Sequence, residues 1–238
     1  MRKLIFLILS ILLSYAAFSQ PVFKNPGLPD KESFILHENL DPKIGYVTSK
    51  IDIELMERNG SKYYSIQVNE GGYFLNKVEL NYSDLTTISE KRYNLKTNTL
   101  EQYYIRRNDT IHFYDKSKGV NKIIPSNETN IYSSLAYFVS FRGFPFKIGN
   151  SVSFKTYMYM YGDVLTMKLK NVAIEKVTVK AGTFDCYVLE LSVGGWQSLF
   201  ANDKYYLYFT VAQPHIFVEY KEKIDGIWMP DEIVSHSP

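Results

Sequence analysis

The residues of this 238-residue chain best suited to acid–base, metal or nucleophilic chemistry are four histidines and one cysteine. Their spacing offers little of it. His37, His112, His215 and His236 are scattered, none stands four residues from another, and there is no HExxH. A metal centre would need ligands gathered from distant segments, whereas isolated histidines fit surface or singly bonded positions. Cys186 sits in an apolar run with Asp185 beside it, and an acidic neighbour does not favour a thiolate. That setting suits a small buried hydrophobe better than a nucleophile. The carboxylates Asp52 and Glu54 fall on the polar side of an alternating segment, where water solvates them. There is no GxSxG, no phosphate-cradling glycine loop and no GxGxxG after a strand. No catalytic residue, metal ligand or cofactor is expected, and the chain reads as a non-enzyme.

Aromatic content is the feature that stands out, with 20 Tyr, 15 Phe and 2 Trp making 16% of the chain. In a β-sandwich these rings would fill the core. In a curved half-barrel they would instead wall a concave apolar cavity able to hold an acyl chain or another greasy molecule. Phe138, Phe141, Phe144 and Phe146 form a cluster expected at the lid of such a cavity. Arg142 among them could pair with a ligand carboxylate or phosphate, or serve as a cation near a helix C-terminus. Trp196 and Phe200, in the segment GGWQSLF, are expected near the barrel mouth and complete the candidate ligand contacts.

The elements that would position these residues are mostly strands. VTVKAGTFDCYVLEL, Val177 to Leu191, reads as two alternating arms joined at Gly182, where a positive φ makes the bend. From Gly45 to Arg58, Val47, Ile51, Ile53 and Leu55 face one way and Thr48, Lys50, Asp52 and Glu54 the other. Asn59-Gly60 then turns the chain into a return arm of Tyr64, Ile66 and Val68. Gly71-Gly72, Thr97-Asn98 and Asn108-Asp109 punctuate further strands, which makes a meander of antiparallel neighbours. After Pro125 the caps Ser126, Asn127 and Asn130, and Ile131, Leu135, Phe138 and Val139 at helical spacing, predict the one substantial helix, ended by Gly143 and Pro145. Strands resume from Ser151 and continue to one near Ile233. Residues 20 to 29, with their prolines and Gly27, read as a loosely held arm. The expected fold is therefore mainly β: a curved antiparallel meander sheet, half-barrel or open barrel, with one short helix; the alternative is a sandwich.

The first residues place Arg2 and Lys3 before an apolar run from Leu4 to Leu13, then small residues at Ala16, Ala17 and Ser19, the pattern of a secretory signal peptide over residues 1–19. The run is short for a span, and no later run of about 20 apolar residues predicts an anchor. With 27 basic and 25 acidic residues in all, loss of Arg2 and Lys3 brings the formal net charge from +2 to zero. Nucleic acid or an anionic membrane surface has no global electrostatic pull on such a chain. Cys186 is the only cysteine, so neither an internal disulfide nor a lipidated cysteine at the cleavage point is expected. No linker composition divides residues 20–238, which reads as one β-rich domain held by burial alone.

Three segments, IYSSLAYFVSFRGFPFKIGNSVSF, VTVKAGTFDCYVLEL and YYLYFTVAQPHIFVEYKEKIDG, together resemble a family of exported bacterial proteins known as domain of unknown function 3108. The shared pattern is a helix ending in an arginine and a proline, a glycine that opens a strand, an AGTF hairpin and a final strand pair. The resemblance implies a curved antiparallel sheet similar to lipoprotein-carrier folds, and no catalytic residue. Two functions follow as expectations: an exported carrier of an apolar or amphiphilic ligand such as a lipid, in the periplasm or outside the cell, or an envelope module that binds another protein or a glycan.

Overall fold

In the computed structural model, residues 22–41, 45–107, 110–125, 130–158, 163–195, 204–224 and 227–238 are described. The strands of the first half are β1 (Lys31–Asp41), β2 (Gly45–Arg58), β3 (Ser61–Glu70), β4 (Phe74–Asn81), β5 (Thr87–Asn94), β6 (Thr99–Arg107), β7 (Thr110–Asp115) and β8 (Val120–Pro125). After β9 (Ile131–Ser133) the chain coils through a 3₁₀ turn, Ser134–Ala136, a single α-helical turn α1, Tyr137–Ser140, and a second 3₁₀ turn, Phe141–Gly143. The return half is β10 (Ser151–Met158), β11 (Asp163–Val179), β12 (Gly182–Val193), β13 (Lys204–Thr210), β14 (Phe217–Ile224) and β15 (Ile227–Ser237).

These strands make one 15-stranded sheet in the order β8-β7-β6-β5-β4-β3-β2-β1-β15-β14-β13-β12-β11-β10-β9. Consecutive strands are neighbours except β8 and β9, which form the two edges, and β1 joins the two halves by pairing with both β2 and β15. All pairs are antiparallel except the short β9–β10 contact. The fold is thus the curved, open meander that the alternation predicted. Register irregularities in β1, β4, β5, β11 and β13 add local twist and bend, as extra residues in a ladder do. The turn chemistry holds too: Asn59 and Gly60 carry φ of 54° and 76°, and Gly182 one of 136°.

Curvature brings the two sheet edges toward each other without backbone pairing between them. The Ser133 hydroxyl on β9 donates to the Glu90 carboxylate on β5. Tyr157 of β10 stacks on Tyr104 of β6 at 4.9 Å and meets Phe113 of β7 edge-on. This seam buries a small cluster of its own, with Ile111 and Ile131. The main core lies along the remaining concave face, where the helical stretch rests on the sheet.

Three expectations are corrected. The helix is one turn, because Ile131–Ser133 pairs in extended form with Lys155–Tyr157; Ser133 caps the 3₁₀ turn before it, its Oγ accepting from Leu135 N–H at 3.0 Å, and no side chain caps α1 itself. Asn130 is therefore not the cap, and Ser126 and Asn127 lie outside the described residues. The arm before β1 is not loose. Phe23 is wholly buried, packed against Tyr132, Phe141 and Phe154, and the Tyr132 hydroxyl accepts from the Val22 and Phe23 amides. Two strands also went unread, β1 and β8: β1 carries Phe34 and Leu36 inward on a run whose polar residues mask the alternation.

The arm crosses the end of the helical stretch at Gly143, whose carbonyl accepts from Lys24 N–H at 3.2 Å. A Cβ on Gly143 would stand 2.4 Å from the Lys24 carbonyl oxygen, so Gly143→Ala should push the arm and Phe23 out of register. Overpacking of this kind costs roughly 1–3 kcal/mol, read as a melting temperature several degrees below wild type. An unchanged transition would contradict the close approach.

Candidate functional site

The helical stretch does not fill the concave face. Beneath it remains a cavity of about 340 Å³, at the lower end of the roughly 300–1,000 Å³ typical of small-molecule sites. Strand pleating dictates its walls, since residues two apart share a face. On β1, Leu36 lies deeper and Glu38 nearer the rim; on β3 the same step runs from Val68 to Glu70, and on β13 from Leu207 to Tyr205. On β14 the rim residue is Glu222 and on β15 it is Asp231, two positions from the core residue Ile233. The rim ends are where β1, β3, β10, β12 and β14 finish and β2, β11, β13 and β15 begin. The cavity is accordingly apolar in its depth and polar at one end.

The helical stretch caps it with Leu135, Tyr137 and Phe138, and Phe138 meets Phe217 edge-on at 6.5 Å. The Tyr137 hydroxyl donates to Thr156 Oγ1 at 2.8 Å, and Thr156 in turn donates to the Tyr132 carbonyl at 2.7 Å. Burial raises the Tyr137 phenol, so this ring stays neutral.

Acidic groups dominate the polar side. Glu70 is matched by Arg92, whose Nη1 donates to Oε1 at 2.9 Å and whose Nη2 stands 2.8 Å from Oε2, with Asn76 bridging the two. Glu38 accepts from the neutral Ser49 hydroxyl, and burial pushes its carboxyl up to about 7 despite that bond. The Tyr220 hydroxyl donates to Glu222 at 3.1 Å. No Lys, Arg or His lines the cavity among the described residues.

Of the expected contacts among the described residues, only Phe138 lines this cavity. Phe141 is fully buried beside it, stacked on Tyr137 at 4.5 Å and packed on Phe154. Phe144 and Phe146 lie farther along the same concave face, away from the cavity, where Phe146 packs on Tyr187, Phe209 and His215 beside an open, largely polar cleft. Arg142 stands in the last turn of the helical stretch, as expected, but its role is corrected. With no exposed surface, its guanidinium grips the Glu32 carboxylate on β1 through both terminal nitrogens and the Pro214 carbonyl through Nε at 3.0 Å. A donor set engaged by the fold cannot serve a ligand anion. Trp196 and Phe200 lie outside the described residues. What sequence reading missed is the rim: Glu38 and Glu70 each occupy an inward position of an apolar-faced strand, and that break in the pattern is the signal.

Cys186 is buried, and burial lifts its thiol up to about 12, as its apolar run predicted. His236 stands 2.8 Å from Glu32, His37 stacks on Tyr46 at 4.9 Å, and His215 Nδ1 bonds to the Thr210 carbonyl oxygen at 2.9 Å. Among the described residues no group of three His, Cys, Asp or Glu side chains could hold a metal ion.

Residues 43–226 match the model of the protein family of unknown function DUF3108. The chain belongs to this family. The match runs from just before β2 to the end of β14 and leaves out β1 and β15, in keeping with the sequence resemblance. No curated protein matches the chain. Among solved structures, a β-barrel-like DUF1849 protein from Brucella abortus is 8% identical, with 87% of this chain and 96% of that one covered and a TM-score of 0.42. A candidate lipoprotein from Parabacteroides distasonis is 10% identical over 92% and 100% of the two chains, TM-score 0.34. A candidate exported protein with a YmcC-like fold from Bacteroides fragilis is also 10% identical, over 91% and 100%, TM-score 0.33.

Glu90, at the seam, is 3% exposed, and burial pushes its carboxyl up to about 7, against the pull of the Ser133 hydroxyl and Arg92. The free carboxyl titrates near 4.5, so the folded state holds the proton more tightly. Its contribution to stability is complete below about 4.5 and is lost as pH rises through about 7. Glu90→Gln keeps an acceptor for Ser133 and removes the titration. The variant should be the more stable at about pH 8, by no more than on the order of 3 kcal/mol, and nearly equal to wild type at about pH 4. Parallel melting curves for the two proteins across that range would contradict a seam carboxyl of raised pKa.

Proposed function

We propose that this DUF3108 chain is an exported, non-catalytic binding protein that takes an apolar or amphiphilic molecule into the cavity under the helical stretch. The observation that carries the reading is the cavity itself: an apolar pouch that opens toward a polar rim, in a fold whose core is otherwise packed. Apolar walls supply non-directional affinity in proportion to the area they remove from water, and a few rim groups orient the ligand. Export is supported by the basic-then-apolar leader of residues 1–19. The non-catalytic reading is supported by the protonated, buried Cys186 and by histidines engaged in separate structural contacts.

Leu135 is only partly buried and projects at the cavity, so Leu135→Trp should fill the space without removing a core contact. Protein purified from its host should bind the apolar dye N-phenylnaphthylamine with a saturable, single-site rise in fluorescence. The Leu135→Trp variant should lose most of that response while melting within a few degrees of wild type. Equal dye binding by both proteins would place the site elsewhere and overturn this reading.

A further inference from the structure

Resting on the reading that the cavity holds a ligand, we infer that the ligand's head group is cationic, an amine or other ammonium group. Glu38 and its carboxylate neighbours would hold it at the rim while the apolar chain fills the depth. On β1 and β3 the same inward face passes in one step from aliphatic to acidic, Leu36 to Glu38 and Val68 to Glu70. An amphiphile lying along the cavity therefore has its tail among Leu36, Ile51, Val68 and Leu207 and its head where the carboxylates converge.

The charge balance at that end then selects the sign of the head. Glu38, Glu70, Glu222 and Asp231 line the cavity, and the described lining includes no basic side chain. The nearest guanidinium, Arg92, is committed to Glu70 and Asn76. Among the described residues the hydrogen-bond donor to Glu38 is the neutral Ser49 hydroxyl, and burial lifts its carboxyl up to about 7 against the pull of that bond and of the Arg92 charge. A desolvated carboxylate without its own cation gains most from an ammonium donor, through charge-assisted hydrogen bonds in a medium of low dielectric. An anionic head would instead meet carboxylates on β1, β3, β14 and β15. The cation that could answer it, Arg142, sits toward the opposite end of β1, bound to Glu32. A metal ion is disfavoured as the occupant, because among the described residues no three His, Cys, Asp or Glu side chains form a group that could hold one. The aromatic rim residues Tyr205 and Tyr220, stacked at 6.0 Å, also suit an organic cation.

Three probes of one chain length separate this inference from the cavity reading beneath it. Decylamine, decanol and decanoate are titrated calorimetrically into protein purified from its host at about pH 8, above the value of about 7 to which Glu38 is lifted. Decylamine should bind about tenfold or more tighter than decanol, and decanoate weaker than either. Glu38→Gln keeps the shape and a carbonyl acceptor for Ser49; it should bring decylamine close to decanol while leaving decanol unchanged. Glu222→Gln provides a second variant with the same expected direction should Glu38→Gln fail to fold. Decanoate binding as tightly as decylamine, or a preference for the amine that survives both substitutions, overturns the cationic head and leaves the cavity reading in place. Binding of none of the three overturns both.

Discussion

A guanidinium with no contact with water needs a partner inside the fold, and for Arg142 that partner is Glu32. The pair joins three parts of the chain: the end of the helical stretch, the start of β1, and β15 through His236, which bonds the same carboxylate at 2.8 Å. Stripping one member from such a pair leaves a buried charge and costs about 3–5 kcal/mol. The stretch is only one α-helical turn flanked by 3₁₀ turns and could not hold its place by helix propensity. Docked by Arg142 at one end and by the Ser133 cap at the other, it presents Leu135, Tyr137 and Phe138 to the sheet at fixed height. That height sets the cavity beneath.

The meander imposes the second constraint. Each half runs as a meander and the two join through β1 and β15, so the sheet curls on itself but leaves the consecutive strands β8 and β9 as its two edges. Side chains join the rims instead, through the Ser133–Glu90 bond and the Tyr104–Tyr157 stack. The interior that results is polar along one band, from Ser49 and Glu38 through Glu70, Asn76 and Arg92 to Glu90 and Ser133. Two of its carboxyls are raised to about 7 by burial, a standing cost at neutral pH that an apolar lining would avoid. Part of this band borders the cavity, where the cost is recoverable on binding a cation.

Much of the fold was legible. Period-two alternation located β2 to its end residues, Asn59-Gly60 and Gly182 marked hairpins that need positive φ, and the apolar neighbours of Cys186 announced its burial. What stayed hidden shares one physical cause: inward positions occupied by charge. In β1, Glu32 and Glu38 stand on the same face as Phe34 and Leu36, because Arg142 neutralises one and the cavity rim accommodates the other. An alternation test sees only polar residues there. Arg142 itself was legible as a basic residue at a helix end, yet its partner is 110 residues away, and no local pattern reports such a distance. The four phenylalanines around it looked like one lid because they are close in sequence; past Gly143, Phe144 and Phe146 run on along the concave face away from the cavity.

Methionine methyl resonances test the central claim directly, that an apolar chain enters the space under the helical stretch. Met158 and Met167 both line the cavity, on β10 and β11, while Met56 lies exposed on β2 and serves as the internal control. With methyl-labelled protein titrated with decanol, the account predicts saturable shifts of the Met158 and Met167 signals at one common affinity, with Met56 unmoved. Silent Met158 and Met167 methyls at saturating probe, or shifts of Met56 equal to theirs, would contradict it.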